Sequence, residues 1–374
     1  MKISIPVAQL LNAVSAVHHC VAQRTTKPIL GCIKLNVAGG ILSATATDLE
    51  QAVKRTVVLG TEDTPDFDCV IDPKRLLAIL KELSPTESVT LSRKDDTVKI
   101  VSTSAKWELQ SQPVDDFPDI PESGTGVEFD IVGGVFKQAM KRTVFAAERR
   151  ENTRYAVTGI YLEIDAEANV LSMVATDTKR LALEKVPVTN LMVPEGKQTL
   201  TGLLPVKAMQ LVERNLNAPE ASIRVRLGTN DCTFTLDNAV IYTRLVEGRF
   251  PPFRQFIPRK LKPPVQLGTP EFASCIRRAA ITTDDESKRV DFHFEPGKVT
   301  LQSRGPECGS SEVEMSLPGY DGAEVNIAFD PDFLTEMMKA IDGESAVSME
   351  LSQENDRAIF RIGGDYMYLV VPMV

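Results

Sequence analysis

The stretch Leu171-Ser172-Met173-Val174-Ala175-Thr176-Asp177 repeats an earlier one, Leu42-Ser43-Ala44-Thr45-Ala46-Thr47-Asp48, and no other feature limits the possible folds of this 374-residue chain so tightly. In both places an apolar-rich run reaches a polar Thr-Asp turn and then returns, as Arg180 to Val186 in one and Ala52 to Val58 in the other, which is a hairpin signal. The offset is 177 − 48 = 129, close to a third of the chain. A second landmark agrees. Asp72-Pro73-Lys74-Arg75-Leu76 returns as Asp330-Pro331-Asp332-Phe333-Leu334, with Asp suited to a helix N-cap and Pro to the first helical position. Its offset is 330 − 72 = 258, twice 129. Two unrelated landmarks with one period predict three tandem copies of a single unit.

Each copy reads as helix, strands, helix, strands. Val7, Leu10, Leu11, Val14 and Val17 have the i, i+3, i+4 spacing of an amphipathic helix over residues 7–21. Further helices are expected from Asp72, over 135–147, from Pro205, over 272–280 and from Asp330. Asp116-Phe117-Pro118 and Gly248-Arg249-Phe250-Pro251 close the first two copies, and a strand from Tyr368 to Met373 closes the third. The copies are expected at 1–123, 124–262 and 263–374. Two helices against many short strands make the fold class α+β, with helices covering one face of antiparallel sheet.

A chain this long exceeds one hydrophobic core, and its 43 % hydrophobic and 25 % charged residues suit a soluble globular protein. Met1-Lys2-Ile3-Ser4-Ile5-Pro6 has neither an apolar run nor a cleavage site, and no later stretch approaches 18 uncharged apolar residues. The expectation is a cytoplasmic protein without a membrane partner. The six cysteines are scattered, with no C-x-x-C, and there are three histidines. Buried free thiols, no metal and no cofactor follow. Gly196-Lys197-Gln198-Thr199 lacks the earlier glycine and the Ser or Thr of a phosphate loop, so it reads as a turn. No G-x-S-x-G, H-E-x-x-H or G-x-G-x-x-G is present, and a hydrolase would need a site that the sequence does not offer. The acidic pairs Asp115-Asp116 and Asp284-Asp285 read as solvated loop residues. Asp48 and Asp177 read as turn residues that bond their own backbone.

A formal charge of −9 argues against a simple basic nucleic-acid binder but not against segregated charge. Lys137, Lys141, Arg142, Arg149 and Arg150 follow one another on and after the first helix of copy two, and Arg277 and Arg278 stand on its counterpart in copy three. Arg24 and Lys27 lie just beyond the first helix of copy one, with Lys74, Arg75 and Lys81 on its second. Acids such as Glu62, Asp63, Asp66 and Asp68 collect in strands and loops.

Arg24 with Lys27-Pro28-Ile29-Leu30-Gly31, Ala175-Thr176-Asp177 before Arg180-Leu181-Ala182, Gly248-Arg249-Phe250-Pro251 and a terminal Val371-Pro372-Met373 form a set that closely resembles the bacterial sliding clamps, the beta subunits of DNA polymerase III. The resemblance runs the length of the chain. It implies a non-enzymatic DNA clamp fold in which two chains form a ring, with helices inside and sheets outside. Such a homodimer would encircle double-stranded DNA without reading its sequence. It would tether the DNA polymerase and other replication and repair proteins, and engage the clamp loader, through short peptide motifs. Helix packing supports two chains: at about 8–10 Å between neighbours, six helices ring a hole of about 15–19 Å and twelve one of about 30–40 Å. Only the larger admits a duplex. A repeat-built protein-binding scaffold without DNA is the alternative.

The resemblance also implies site residues. DNA phosphates would meet Arg24, Lys137, Lys141, Arg142, Arg149, Arg150, Arg277 and Arg278. A partner peptide would meet Val157, Thr176, Thr178, Lys179, Arg180, Leu181, Pro251, Phe256, Leu369, Val371, Pro372 and Met373, with Asp330 and Phe333 at the far side. Trp107 and Leu109 would meet Ile281 and Thr282 across the dimer interface. The chain departs from the family pattern at Glu151, at Thr282, at Thr178-Lys179 and in ending at Val374 without a basic residue after Met373.

Overall fold

A computed structural model describes the chain apart from residues 1, 61–64, 122–123, 150–155, 196–199, 285–287, 353–356 and 374. Its six α-helices among the described residues are α1 (Val7–Val17), α2 (Pro73–Lys81), α3 (Gly133–Thr143), α4 (Val206–Asn215), α5 (Thr269–Ala279) and α6 (Pro331–Ala340). The helices expected over 7–21 and 135–147 end sooner, because their last residues tighten into the 3-10 turns His18–Cys20 and Val144–Ala146. A third such turn, Ala280–Thr282, follows α5. Short 3-10 segments commonly finish helices in this way. Asp72 and Asp330 cap α2 and α6, accepting from the backbone N–H of Lys74 at 2.8 Å and of Asp332 at 2.9 Å. Pro205 ends a strand rather than opening α4.

The chain forms two compact units. Unit 1 holds residues 1–134, 188–200 and 207–245, and its strands make one antiparallel sheet of thirteen. Unit 2 holds 135–187, 201–206 and 246–374, with one sheet of eight strands and one of four. Copy two is therefore divided. Its strands Val127–Val132, Thr189–Met192, Ser222–Leu227, Asp231–Leu236 and Ala239–Arg244 join unit 1, while Gly159–Asp165, Val170–Thr176, Arg180–Pro187 and Thr201–Pro205 join unit 2. In both units the last strand of one copy pairs with the hairpin of the copy before it. Ala239–Arg244 lies along Gln51–Val58, and Tyr366–Val370 along Arg180–Pro187.

The repeat is reproduced down to single hydrogen bonds. The Thr47 hydroxyl donates to Gln51 O at 2.7 Å and the Thr176 hydroxyl to Arg180 O at 2.5 Å. Asp48 accepts from the N–H of Gln51 at 2.7 Å, and Asp177 from that of Arg180 at 3.0 Å. Leu49 and Thr178 both adopt φ 77°, a left-handed conformation that the side-chain bonds of the turn hold in place. Asp48 and Asp177 thus bond their own turns, as expected from the sequence.

All six cysteines are free, but they are not all buried: Cys32 is half-buried and Cys308 is exposed, at the turn of the hairpin Gly297–Gly305 and Gly309–Leu317. Among the described residues no helix is long and apolar enough to cross a membrane. Gly196 to Thr199 and Asp285 lie outside the described residues.

Removing a cap carboxylate returns an unpaired N–H to the helix start. Asp72→Ala should lower the stability of unit 1 by about 1 kcal/mol, and Asp72→Asn should recover most of it, as read from urea unfolding midpoints.

Candidate functional site

The Thr176-Asp177 turn carries Arg180 into the interior of unit 2. The guanidinium donates from Nε to Asp177 at 2.9 Å, from Nη1 to Glu336 of α6 at 2.5 Å and from Nη2 to the Phe145 carbonyl at 3.1 Å. It also lies over the Phe333 ring at 4.5 Å and the Phe145 ring at 5.5 Å. Burial opposes its charge, but Tyr368, Glu336 and Asp177 more than offset this and hold it firmly protonated. Burial in turn pushes the Tyr368 hydroxyl up, and that hydroxyl donates to the Phe333 carbonyl at 3.0 Å. Arg180 is therefore a rivet joining the turn, the 3-10 segment after α3, the closing strand and α6.

Behind the rivet is an apolar cluster that joins Leu181 and Leu369 to Val174, Leu203, Phe250, Phe253 and Met367. Phe253 opens a one-turn 3-10 helix, Phe253–Phe256, that leaves Phe256 48 % exposed. The closing strand ends at Val370 rather than at Met373. Beyond it, the Val371 N–H donates to Lys179 O at 2.9 Å, and Met373 makes an isolated bridge to Ala328. This leaves the Val371 side chain 40 % exposed and Pro372 and Met373 half-buried.

The residues expected to meet a peptide therefore fall into two layers. Val157, Thr176, Arg180, Leu181, Pro251 and Leu369 are buried and make the floor. Thr178, Lys179, Phe256 and Val371 are exposed, while Phe333, Pro372 and Met373 are half-exposed. Asp330 is half-buried and occupied as the α6 cap, and burial raises its pKa. Glu336 and Phe145 escaped the sequence reading. Glu336 follows Phe333 by one i, i+3 step on the same helix face, so its part could have been read once Phe333 was named.

The basic residues divide similarly. Arg24, Lys137, Lys141, Arg149, Arg277 and Arg278 are exposed. Arg149 pairs with Glu336 at 3.0 Å, and Arg278 donates to the Cys275 sulfur at 3.1 Å. Arg142 departs from the expected set. Its side chain is 8 % exposed, bonded to Glu184 at 2.9 Å and also to Glu344, and it lies over the Tyr366 ring at 5.4 Å. A guanidinium committed to two carboxylates inside the protein is not available to phosphate. Glu184, on a strand well separated from α3 in the chain, offered no signal of this. Burial raises the Glu184 pKa, and Arg142 works against that rise. Arg150 and Glu151 lie outside the described residues.

Of the expected interface residues, Trp107 is half-buried and Leu109 buried on the strand Lys106–Gln112. Ile281 is 76 % exposed in the 3-10 turn after α5, and the Thr282 hydroxyl bonds Ser303 at 2.7 Å. Among the described residues no group of His, Cys, Asp or Glu is arranged to hold a metal ion.

Tandem helix-and-sheet copies with exposed basic residues on their helices and an apolar surface at Phe256, Val371, Pro372 and Met373 define a binding protein of the clamp type. The comparisons with known proteins are specific. Residues 1–121 match the N-terminal domain of the DNA polymerase III beta subunit, 130–252 its central domain and 254–373 its C-terminal domain. The Chlamydia pneumoniae beta sliding clamp is 28 % identical over 374 residues, covering 100 % of this chain and 99 % of that one. The Escherichia coli K12 beta sliding clamp is 25 % identical over 349 residues, 93 % of each. A crystal structure of a Pseudomonas aeruginosa sliding clamp bound to griselimycin superposes with a TM-score of 0.91 at 25 % identity, covering 100 % of this chain and 99 % of that one. The chain belongs to the DNA polymerase III beta subunit family, the sliding clamps of DNA replication, which are processivity factors and not catalysts.

Arg142 now has a structural role, and its loss would strand Glu184. Arg142→Met should cost about 3–5 kcal/mol in urea unfolding, and adding Glu184→Leu should restore most of the loss, because the uncompensated buried charge is the larger cost.

Proposed function

We propose that this chain acts in the cytoplasm as a homodimeric ring around duplex DNA, with copies at 1–123, 124–262 and 263–374, and that it tethers a polymerase and a clamp loader by short peptide segments. The observation that carries the dimer is a missing strand. The hairpins of copies one and two each receive the closing strand of the next copy. The corresponding hairpin strand of copy three, Gly309–Leu317, stands at the edge of its four-stranded sheet. The closing strand of copy one, Lys106–Gln112, pairs along 106–110 with Thr97–Val101 and reaches Phe67–Ile71 only through Ser111 and Gln112. One unfilled edge and one unclaimed closing strand of the same kind are complementary in a second copy of the chain. Two such junctions, related by a two-fold axis, close a ring. Exposed edges left unpaired invite association.

Trp107 and Ile281 would flank that junction. Arg24, Lys137, Lys141, Arg149, Arg277 and Arg278 would attract phosphates without touching bases, which suits a protein that slides. At the other surface, Phe256, Val371, Pro372 and Met373 offer apolar contacts over a rigid floor, with Lys179 at the rim. A short peptide with apolar anchors and an acidic residue toward Lys179 fits that chemistry.

A closed ring should remain on circular duplex through a high-salt wash and leave once the circle is cut. The double variant Trp107→Ala, Ile281→Ala should sediment as monomer at low concentration and lose that retention; a dimer unchanged in sedimentation would refute the interface.

Removing residues 371–374 should abolish calorimetric binding of a polymerase-derived peptide while the dimer persists on sedimentation. Unchanged peptide affinity would place the peptide site elsewhere.

A further inference from the structure

His18 and His19 open the 3-10 turn after α1, in unit 1. Their rings lie 3.7 Å apart between centroids. Two other helices end nearby. Asn215, the last residue of α4, donates to the Ala16 carbonyl at 3.1 Å, and α2, which packs against α1, carries Lys81 in its last turn. Arg214 of α4 donates from Nη1 to His19 Nε2 at 2.6 Å. Arginine is only a donor, so this bond requires a neutral His19 with the lone pair on Nε2. His18 donates from Nδ1 to the Ser15 carbonyl at 2.9 Å, which leaves Nε2 as its titrating nitrogen. His18 is half-buried and His19 exposed.

The charged groups that act on the pair are cationic. Burial, then Lys81 and Arg214, lower the His18 pKa against an opposing Ser15 carbonyl; burial, His18 and Arg214 lower that of His19. Neither Lys81 nor Arg214 has a carboxylate partner among the described residues. Cations at helix C-termini offset the macrodipole, and this accounts for where Lys81 and Arg214 stand. It does not account for a guanidinium aimed at a ring nitrogen with a second imidazole tilted against that ring. Two basic cations and two neutral bases held together, with no carboxylate paired to either cation among the described residues, have the composition of a phosphate-binding site.

We propose that His18, His19, Lys81 and Arg214 form a proton-coupled site for a backbone phosphate of duplex DNA. The site rests on the clamp reading above, and it adds residues that lie outside the expected DNA-contacting set. A phosphate draws the Arg214 guanidinium from His19, which frees Nε2 to take up a proton, and the same anion favours protonation of His18. Binding therefore consumes protons. Affinity is greatest below the imidazole pKa values of the free protein and is lost as pH rises through those of the complex. An imidazole raised by about one unit contributes up to about tenfold, and the pair up to about 100-fold.

The chain has three histidines, and the third, His293, lies on a strand of unit 2 beside Asn326 and serves as an internal control. The experiment uses the full-length protein labelled with 13C-histidine, titrated by NMR with and without a short DNA duplex. Fluorescence anisotropy of the same duplex follows affinity between pH 5.5 and 8. The His18 and His19 resonances should titrate about one unit higher with duplex present, and His293 should not move. Duplex affinity should fall about 10-fold to 100-fold across the range, and the variant His18→Asn, His19→Asn should flatten that dependence while keeping its sedimentation and peptide binding. If the unaltered protein binds duplex with the pH profile of the double variant, or if neither resonance responds to bound duplex, the site is overturned while the clamp reading stands. Failure of the unaltered protein to bind or retain duplex at any pH overturns both.

Discussion

The backbone of an edge strand carries a row of unpaired N–H and C=O groups, and this fold answers two such rows with a strand made one copy later. Gln51–Val58 waits for Ala239–Arg244, and Arg180–Pro187 for Tyr366–Val370. The surface proposed to receive a partner peptide is built on the second of these pairings. The ladder brings Leu369 beside Leu181 in one apolar cluster and sets Val370 opposite Arg180. It also hands the chain past Lys179, through a 2.9 Å bond from Val371, to its final residues.

The same frame exists in unit 1, where the Arg244 N–H donates to Glu50 O, also at 2.9 Å. The side chains there lead to a different surface. Lys207 pairs with Asp48 and Arg244 with Glu50, so ion pairs occupy the turn. Gln51 stands where Arg180 rivets unit 2, and the chain runs on beyond Arg244 instead of reaching its end. In unit 2 Val371 takes the place of Arg244 and Lys179 that of Glu50, while Asp177 pairs with Arg180, whose guanidinium lies over Phe333. Two copies of one backbone solution thus differ in whether they present charge or apolar surface, and the difference rests on a few side chains.

The threefold period was legible because hairpin turns and Asp-Pro caps depend on local chemistry: a carboxylate reaching an N–H two or three positions along needs only the right neighbours. Helix ends were less legible. Nothing in residues 18–20 or 144–146 marks the tightening to 3-10 geometry, since the apolar spacing continues through it. The sharing of copy two between units was not readable at all, because strand partners separated by so much of the chain are chosen by shape and register. Arg142 shows the same limit at one residue. On sequence it is one more cation in a basic run, and only the fold brings Glu184 and Glu344 to it. Arg180 was found through its motif, yet Phe145 and Glu336, which hold it, come from other elements.

The long interval between a strand and its partner has a consequence during synthesis. Close to half the chain is made between Val58, where Gln51–Val58 ends, and Ala239, and a similar length between Pro187 and Tyr366. At about 5–20 residues per second, a ribosome leaves each hairpin edge open for about 10–40 s. Strand pairing itself takes microseconds, so the emerging chain has ample time to pair wrongly with a neighbour on the same messenger. In the proposed ring the edge of the last hairpin waits longer still, for a second finished chain. Ribosome spacing and chaperone occupancy therefore bear on the yield of this protein as directly as its thermodynamic stability does.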